Sequence, residues 1–520
     1  MKRYVIIMLC IITSTLFAQD GKKLFDDSFV HKIEINSSQD NIYDLLYEDH
    51  ENYLFNNGQK IYREVKIIID GKELDSNVGV RFKGETSFSQ TLGQKKPIKI
   101  DINKFNDDQK YDDLKKFNLH NARSDPSMIR DKIAYDIMRE QGIAAPRVSF
   151  ARVYLNDQYW GLYSIVEQID KTFLKYYFKD KKGNLYKSPT TSQFLTWNIT
   201  GQPQTSADTM SLVNGMLLKT NEKNPKYNRF VTFLDAINNS TDDEFMQRIE
   251  SQFELDQFLT VLAVDLMLLD VDKYWQAGKN YYMYENTLTN KTVWIPWDYN
   301  LCMNYIFDNV PDYVGYKKII DNPKFENSPL VSRILSNSIL RAKYLNKVCQ
   351  ILNSSLNTVS LYGKLDKLKA LISDHVYEDQ KKDCTNKDFD EAYGNGSYYD
   401  ISLPNKILGL KSFWNKRSEY IQEILDANNI ECSTRTEDLI NEKRFQITVF
   451  PNPNSSGRLH ISKRKENCKV ILMNSLGITL KLWDLKPTDE YIPLMELPNG
   501  IYLLKFETDL YQITQRLIIN

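Results

Sequence analysis

The sequence holds little that could seat a soft metal ion. Its five histidines stand apart, none three or four residues from another, which excludes a zinc site built on paired imidazoles. Of six cysteines, Cys10 falls within the first twenty residues. The others, Cys302, Cys349, Cys384, Cys432 and Cys468, are scattered and lack metal-type spacing. One or two disulfides remain open to them; a disulfide scaffold does not. An excess of charge is missing too. The net charge is −1 and the pI near 6.6, so no nucleic acid or other bulk polyanion is expected as a partner. After the first twenty residues no apolar run is long enough to be transmembrane.

What is present describes an ordinary globular chain. With 520 residues, 42% hydrophobic and 26% charged, it has room for two to four domains and a sizeable core. The opening MKRYVIIMLCIITSTLFAQD reads as an export signal over residues 1–18. Lys2 and Arg3 precede an apolar stretch, and Ala18 precedes the cleavage point. Cys10 lies inside that stretch, not after it, so no lipid anchor is expected.

Residues 30–170 read as strands around one helix. Asp70-Gly71 signals a hairpin between β-prone runs at 64–69 and 78–82. A loop, GETSFSQTLGQ, then leads into KKPIKIDI. Asp125 and Pro126 open a helix whose stripe is Ile129, Ile133, Ala134, Ile137 and Met138, stopped by Gly142. Two more strands, 148–155 and 159–166, turn at Asn156-Asp157. Residues 180–240 are polar and irregular by composition. The run 255–269 is a helix apolar nearly all round, hence buried, and 329–428 is mostly helical by pattern. A polar stretch, CSTRTEDLINEK, precedes 77 residues of short strands and Asn-Pro or Asn-Gly turns, as in a small β-sandwich.

Two runs, NYYMY from Asn280 and TVWIPW ending at Trp297, suit an antiparallel hairpin with a five-residue loop at 287–291. In that register Tyr284 faces Trp294 and Asn280 faces Asp298, with α-carbons about 4.5 to 5.5 Å apart. One amide oxygen and one carboxylate side by side suit a hard divalent cation. Asp272, eight residues before Asn280 and just after the buried helix, could serve as base or hydroxyl positioner. The order of Asp, Asn, hairpin and Asp is how protein kinases arrange phosphoryl transfer. The plainer reading makes Asp272 and Asp298 turn residues and Asn280 a strand-end amide.

The segments VGVRFKGETS, KKPIKIDI, SDPSMIRDKIAYDIM, YLNDQYWGLYSIVEQID, LDQFLTVLAVDLMLLDVDKY, NYYMY and WIPWDYNL resemble, in order, the CotH kinase family. The resemblance implies an α+β fold: an atypical protein-kinase-like, two-lobed domain over 30–430. Its β-rich N-lobe would cover about 30–170 and its helical C-lobe about 171–430, before a linker at 431–443. It also implies an ATP- and Mg²⁺-dependent phosphotransferase (another divalent cation could serve) acting on Ser or Thr of a secreted or surface protein. On it, Asp272 matches the catalytic aspartate, and Asn280 and Asp298 the metal ligands. The loop with Arg81, Gly84, Thr86 and Ser87 would cover the phosphates, and Lys99, with Lys96 in reserve, would pair with them. Glu167 and Asp170 lie where adenosine would be met, although acids at such a place commonly cap the following helix. Arg130 and Asp131 lie where a kinase carries the acid that orients its lysine. Met303 and Asn304 stand where many relatives have Phe-Gly, so a catalytically degenerate surface binding or adhesion protein is the alternative. A glycan-active enzyme using Asp272 and Asp298 is disfavoured, because the hairpin pairs Asp298 with an amide.

Residues 444–520, with FQITVFPNPNSSGRLHI and IPLMELPNGIYLLKFET, resemble the type IX secretion sorting domain of Bacteroidota. That implies the type IX secretion machinery as a partner and a secreted or outer-surface location.

Overall fold

The computed structural model describes residues 20–303, 327–394, 397–399, 406–432 and most of 449–519. The signal at 1–18, Asn304 and most of the expected linker lie outside them. The chain divides into two compact units, Met1–Cys432 and Ser433–Asn520.

The first unit opens with β1 (Val30–Asn36), α1 (Ile42–Phe55), β2 (Arg63–Ile69), β3 (Lys72–Glu73), β4 (Val78–Phe82) and the single turn α2 (Thr86–Ser89). There follow β5 (Ile98–Asp101), β6 (Lys116–His120), α3 (Arg130–Glu140), β7 (Val148–Leu155) and β8 (Gln158–Glu167). Neighbours in the sheet run β1-β7-β8-β6-β5-β4-β2-β3, and β2 also pairs with β1, so seven strands close into a ring. Closure removes the free edges that an open sheet must protect. Only β1 and β7 run parallel, Val30 opposite Phe150; the other pairs are antiparallel.

Turn chemistry explains the tight connections. Asp70 and Gly71 both take positive φ, as do Asn156 and Asp157, the geometry a two-residue hairpin demands. The first turn returns into the short β3, with Ile69 opposite Lys72, while β4 pairs lower on β2, with Val65 opposite Val78. Alternation along β7 and β8 feeds two cores. Ala151, Val153, Tyr163 and Ile165 join the ring's own cluster; Val148, Phe150, Leu162 and Val166 join the helical one.

Helix α3 begins at Arg130, four residues later than the Asp125 cap predicts. Ser124 and Met128 sit at positive φ, which breaks helical geometry. Asp125 instead gathers the Arg130 backbone N–H (2.9 Å) and guanidinium. The predicted stripe does face inward, and all five of its residues are buried.

The chain continues through α4 (Lys171–Phe178), β9 (Leu185–Lys187), α5 (Ser206–Val213), β10 (Leu217–Leu218), α6 (Asn228–Asn238) and α7 (Asp242–Gln252). Residues 180–240 are therefore not irregular throughout. Helix α8 (Leu255–Met267) is buried over nearly its whole surface, as its apolar circumference predicts. After it come α9 (Tyr274–Ala277), β11 (Tyr281–Asn286) and β12 (Lys291–Pro296), and a second sheet is ordered β10-β9-β11-β12. Next are α10 (Pro329–Ser336), α11 (Ser338–Leu352), α12 (Thr358–Glu378), α13 (Asn386–Tyr393), the pair β13 (Ser397–Tyr399) and β14 (Lys406–Leu408), and α14 (Leu410–Ala427). A disulfide joins Cys349 to Cys432. Among the described residues every element of the second unit is a strand: a three-stranded and a four-stranded sheet share a core of Val470, Leu472, Leu504, Phe506 and their neighbours. The whole is an α+β protein. Among the described residues no helix is long and apolar enough to cross a membrane.

Candidate active site

The hairpin β11–β12 is one residue out of the predicted register. Met283, not Tyr284, faces Trp294, and Tyr281 faces Pro296, so Asn280 does not face Asp298 across the ladder. The connection is four residues, Thr287 to Asn290, because Lys291 already belongs to β12. Both leave the ladder with positive φ, Asn280 at 57° and Asp298 at 63°, and they are linked through Asp272, which accepts from Asn280 and feels the Asp298 charge.

Each acid is held by its backbone. The N–H of Asp298 donates to the Tyr135 hydroxyl at 2.7 Å. Lys273, buried immediately after Asp272, donates its ammonium to the Trp297 carbonyl (2.7 Å) and to that of Asp298. The N–H of Tyr299 donates to Asp131 Oδ1 at 2.6 Å. Helix α3, the loop after α8 and β12 thus converge on one turn. Asp272 in turn accepts from Asn280 Nδ2, at its carboxylate (2.9 Å) and at its carbonyl (3.0 Å). Burial, and then the neighbouring Asp298 charge, push the Asp272 carboxyl above the usual range.

Cations face these acids. Lys83, one residue past β4, places its ammonium 2.8 Å from His120 Nε2 at the end of β6. Burial pulls it down to about 7, against the attraction of Asp298. Lys187, at the end of β9, is drawn to about 8 by burial, with Lys219, Lys60 and Arg81 adding repulsion to the pull of Asp298. Among the described residues none of Lys60, Arg81, Lys83, Lys187 and Lys219 takes part in an ion pair. Asp272, Asp298, Lys83 and Lys187 thus share one half-buried space, with Lys60, Arg81 and Lys219 near Lys187.

The other expected site residues divide. Arg81 lies in the cationic group, its guanidinium also donating to the Phe82 carbonyl at 2.7 Å. Gly84 has φ +78°, and a Cβ there would meet Ser87 Oγ at 2.2 Å, so the loop folds on itself through α2, which holds Thr86 and Ser87. Lys96 lies beneath that loop, donating to the Phe88 (2.9 Å) and Thr91 (2.7 Å) carbonyls. Lys99 is buried against Asn118 (3.1 Å) and Gln168, next to Lys83, and burial holds its ammonium well below the ordinary lysine range. Glu167 is gripped by Arg147 at 2.6 and 3.0 Å, and Asp170 caps α4 through the Thr172 and Phe173 N–H groups. Arg130 is spent on Asp125. Met303, buried at positive φ, donates its N–H to Leu268.

Sequence reasoning missed Lys83, His120, Lys187 and Lys273. Only Lys83 carried a signal, since it stands beside Gly84 in the quoted RFKGETS.

His120, Asp131 and Asp298 each bring a ligand-capable atom to within 4.8 Å of one another. His120 has both nitrogens engaged, Nδ1 with Asp131 Oδ2 (2.9 Å) and Nε2 with Lys83. The donors left to a cation are oxygens: the Asp298 and Asp272 carboxylates and Asn280 Oδ1. That set fits a hard divalent ion, and the repulsion between the two carboxylates is what such an ion would relieve.

The chain belongs to the CotH kinase protein family, whose model matches residues 80–425. A secretion system C-terminal sorting domain matches 448–520. Both resemblances read from the sequence therefore hold. Among curated proteins the chain is similar to invasin CotH3 of Rhizopus delemar, 24% identical over 273 residues, 48% of this chain and 42% of the relative. It is similar to invasin CotH2 of the same organism, 19% over 376 residues (67% and 58%), and to inner spore coat protein H of Bacillus subtilis, 24% over 233 (44% and 60%). The chain spans about half the length of the curated relatives it matches.

Proposed function

We propose that this protein is an exported phosphotransferase with an atypical protein-kinase-like architecture, moving a phosphoryl group from ATP to Ser or Thr hydroxyls of secreted or surface proteins. The ring of strands would be its N-lobe, about 30–170, and the region to 430 its C-lobe. The observation that carries the reading is that Lys83 and Lys187, neither in an ion pair among the described residues, face Asp298, with Lys60, Arg81 and Lys219 gathered near Lys187. Cations without counter-ions at the mouth of a carboxylate site suit a triphosphate, and a triphosphate donor gives the acids a task.

Asp272 orients the acceptor hydroxyl and takes its proton. The acceptor oxygen bonds the γ-phosphorus as the bond from that phosphorus to the β,γ-bridging oxygen breaks, and the diphosphate leaves with the electron pair. Lys83 and Lys187 hold charge that spreads over the phosphate oxygens. A divalent cation held by Asp298 and Asn280 would supply further neutralisation. Export would proceed by the signal at 1–18 and then, through residues 444–520, by the type IX secretion machinery to the outer surface.

The test is nucleotide binding by the purified protein. Mg·ADP at a hundred times its Kd should raise stability by about 2.7 kcal/mol, read as a higher melting temperature. With Lys83 near 7 and Lys187 near 8, both are only partly charged at a pH of about 8. Bound phosphate favours the charged form. Binding there should therefore take up protons, and affinity should fall as pH rises toward about 9, measured by calorimetry in two buffers of unlike ionisation enthalpy. No stabilisation by any Mg²⁺-nucleotide would instead favour a binding protein, the role suggested by relatives named invasins.

A further inference from the structure

We propose that His120 is the positioning residue for Lys83, tying the phosphate-facing ammonium to Asp131 of α3 through one hydrogen-bonded line. The inference rests on the phosphotransferase reading for its purpose, but its geometry stands apart from it. Lys83 ends a flexible four-carbon stem with large rotamer freedom. Among the described residues no carboxylate forms an ion pair with it, and its ammonium meets His120 Nε2 at 2.8 Å. His120 is fixed in turn. It is the last residue of β6, its ring stands edge-on to Trp297 at 5.8 Å, and Nδ1 lies 2.9 Å from Asp131 Oδ2. The other oxygen of Asp131 receives the Tyr299 N–H at 2.6 Å, on the turn that carries Asp298. The line therefore runs from the lysine to the backbone beside the candidate metal ligand.

Chemistry dictates where the proton sits. With Lys83 in its ammonium form, which only donates, and a carboxylate that only accepts, the ring between them accepts at Nε2 and carries its hydrogen on Nδ1. The arrangement also explains why a histidine is useful here. A carboxylate in direct contact would position Lys83 but cancel its charge. An imidazole passes the position on without a counter-charge, leaving the ammonium available to phosphate.

The test uses purified full-length protein with ¹⁵N-labelled histidine, the His120 signals being assigned by their loss in His120→Gln. The expected result is the Nδ1–H tautomer for His120, with its Nε2 resonance moving in Lys83→Met and its Nδ1 resonance moving in Asp131→Asn. In phosphotransfer assays His120→Ala should lower kcat about tenfold to a hundredfold, with a smaller change in acceptor KM. His120→Gln, which can still accept and donate, should recover part of that loss. His120→Ala combined with Asp131→Asn should be little worse than either alone, because both cut one line. An Nε2–H tautomer, or a His120 signal unmoved by Lys83→Met, overturns the inference. A wild-type protein without phosphotransfer would sink the proposed function while the spectra still judge the wiring.

Discussion

Asp298→Ala should abolish phosphoryl transfer while leaving the protein folded. The turn that carries Asp298 is fixed by backbone groups: its N–H on the Tyr135 hydroxyl, its carbonyl on Lys273, and the next N–H on Asp131. Removing the side chain breaks none of these. Alanine at a φ of 63° is less comfortable than aspartate, at a cost of about 1–2 kcal/mol. What disappears is the carboxylate that faces Lys83 and Lys187 and repels Asp272. The loss in kcat should be about a thousandfold or more, in line with removing a group aimed at transition-state charge. Mn²⁺ binding without nucleotide, followed by electron paramagnetic resonance, should weaken in parallel. The Asp272 carboxyl should become more acidic, because a neighbouring negative charge is gone. Transfer at the wild-type rate would show that Asp298 is a turn residue and nothing more.

Much of the fold was legible because local chemistry leaves few choices. Asn156-Asp157 and Asp70-Gly71 adopt the positive φ their residue types tolerate, and the stripe on α3 buries as its period requires. The hairpin register was not legible. Whether Lys291 ends the loop or begins the strand is decided by one ladder pair, with Asn286, and a single step exchanges the faces of every side chain. Asp298 still reaches the site because its position depends on the left-handed turn beyond the strand. Lys83, the lysine proposed to face phosphate, was not legible for a related reason. Lys99 lies on a strand, where a period can be read, but its ammonium is consumed by Asn118 and Gln168. Lys83 lies just past a strand end, where no period applies, and its partner His120 is 37 residues away. Residues 180–240 read as irregular because polar side chains satisfy buried backbone there. Gln193, for one, serves the Val213 and Asn214 carbonyls (3.3 and 3.0 Å) and the Leu195 N–H (2.8 Å). Composition counts such residues as surface.

Asp379→Ala should be the most damaging single change away from the site. Asp379 directly follows α12 and is fully buried. One carboxylate oxygen receives the Lys95 ammonium at 2.6 Å and the Leu162 N–H at 3.1 Å; the other receives the Lys381 N–H at 2.9 Å. Lys95 is also buried, so truncation strands a charge in the interior and orphans a strand N–H. Breaking a buried pair from one side costs about 3–5 kcal/mol, a large share of the roughly 5–15 kcal/mol that holds a domain folded. Lys95→Met with Asp379→Leu should recover much of that loss, because removing both partners leaves no buried charge unpaired. Gly161→Ala should act in the same direction. Gly161 has a φ of 127°, and a Cβ there would lie 2.6 Å from the Asp379 carboxylate. Urea unfolding of the three variants measures all of this, and a loss below about 1 kcal/mol for Asp379→Ala would refute the argument. The consequence extends to catalysis. Leu162 belongs to the strand ring that delivers Lys83 and His120, and Lys95 lies in the loop leading into its β5, whereas Asp379 belongs to the helical part, with α8 and the loop of Asp272. A pair that fastens these parts also fixes how far the lysine stands from the acids it must face, so kcat in surviving folded protein should fall alongside stability.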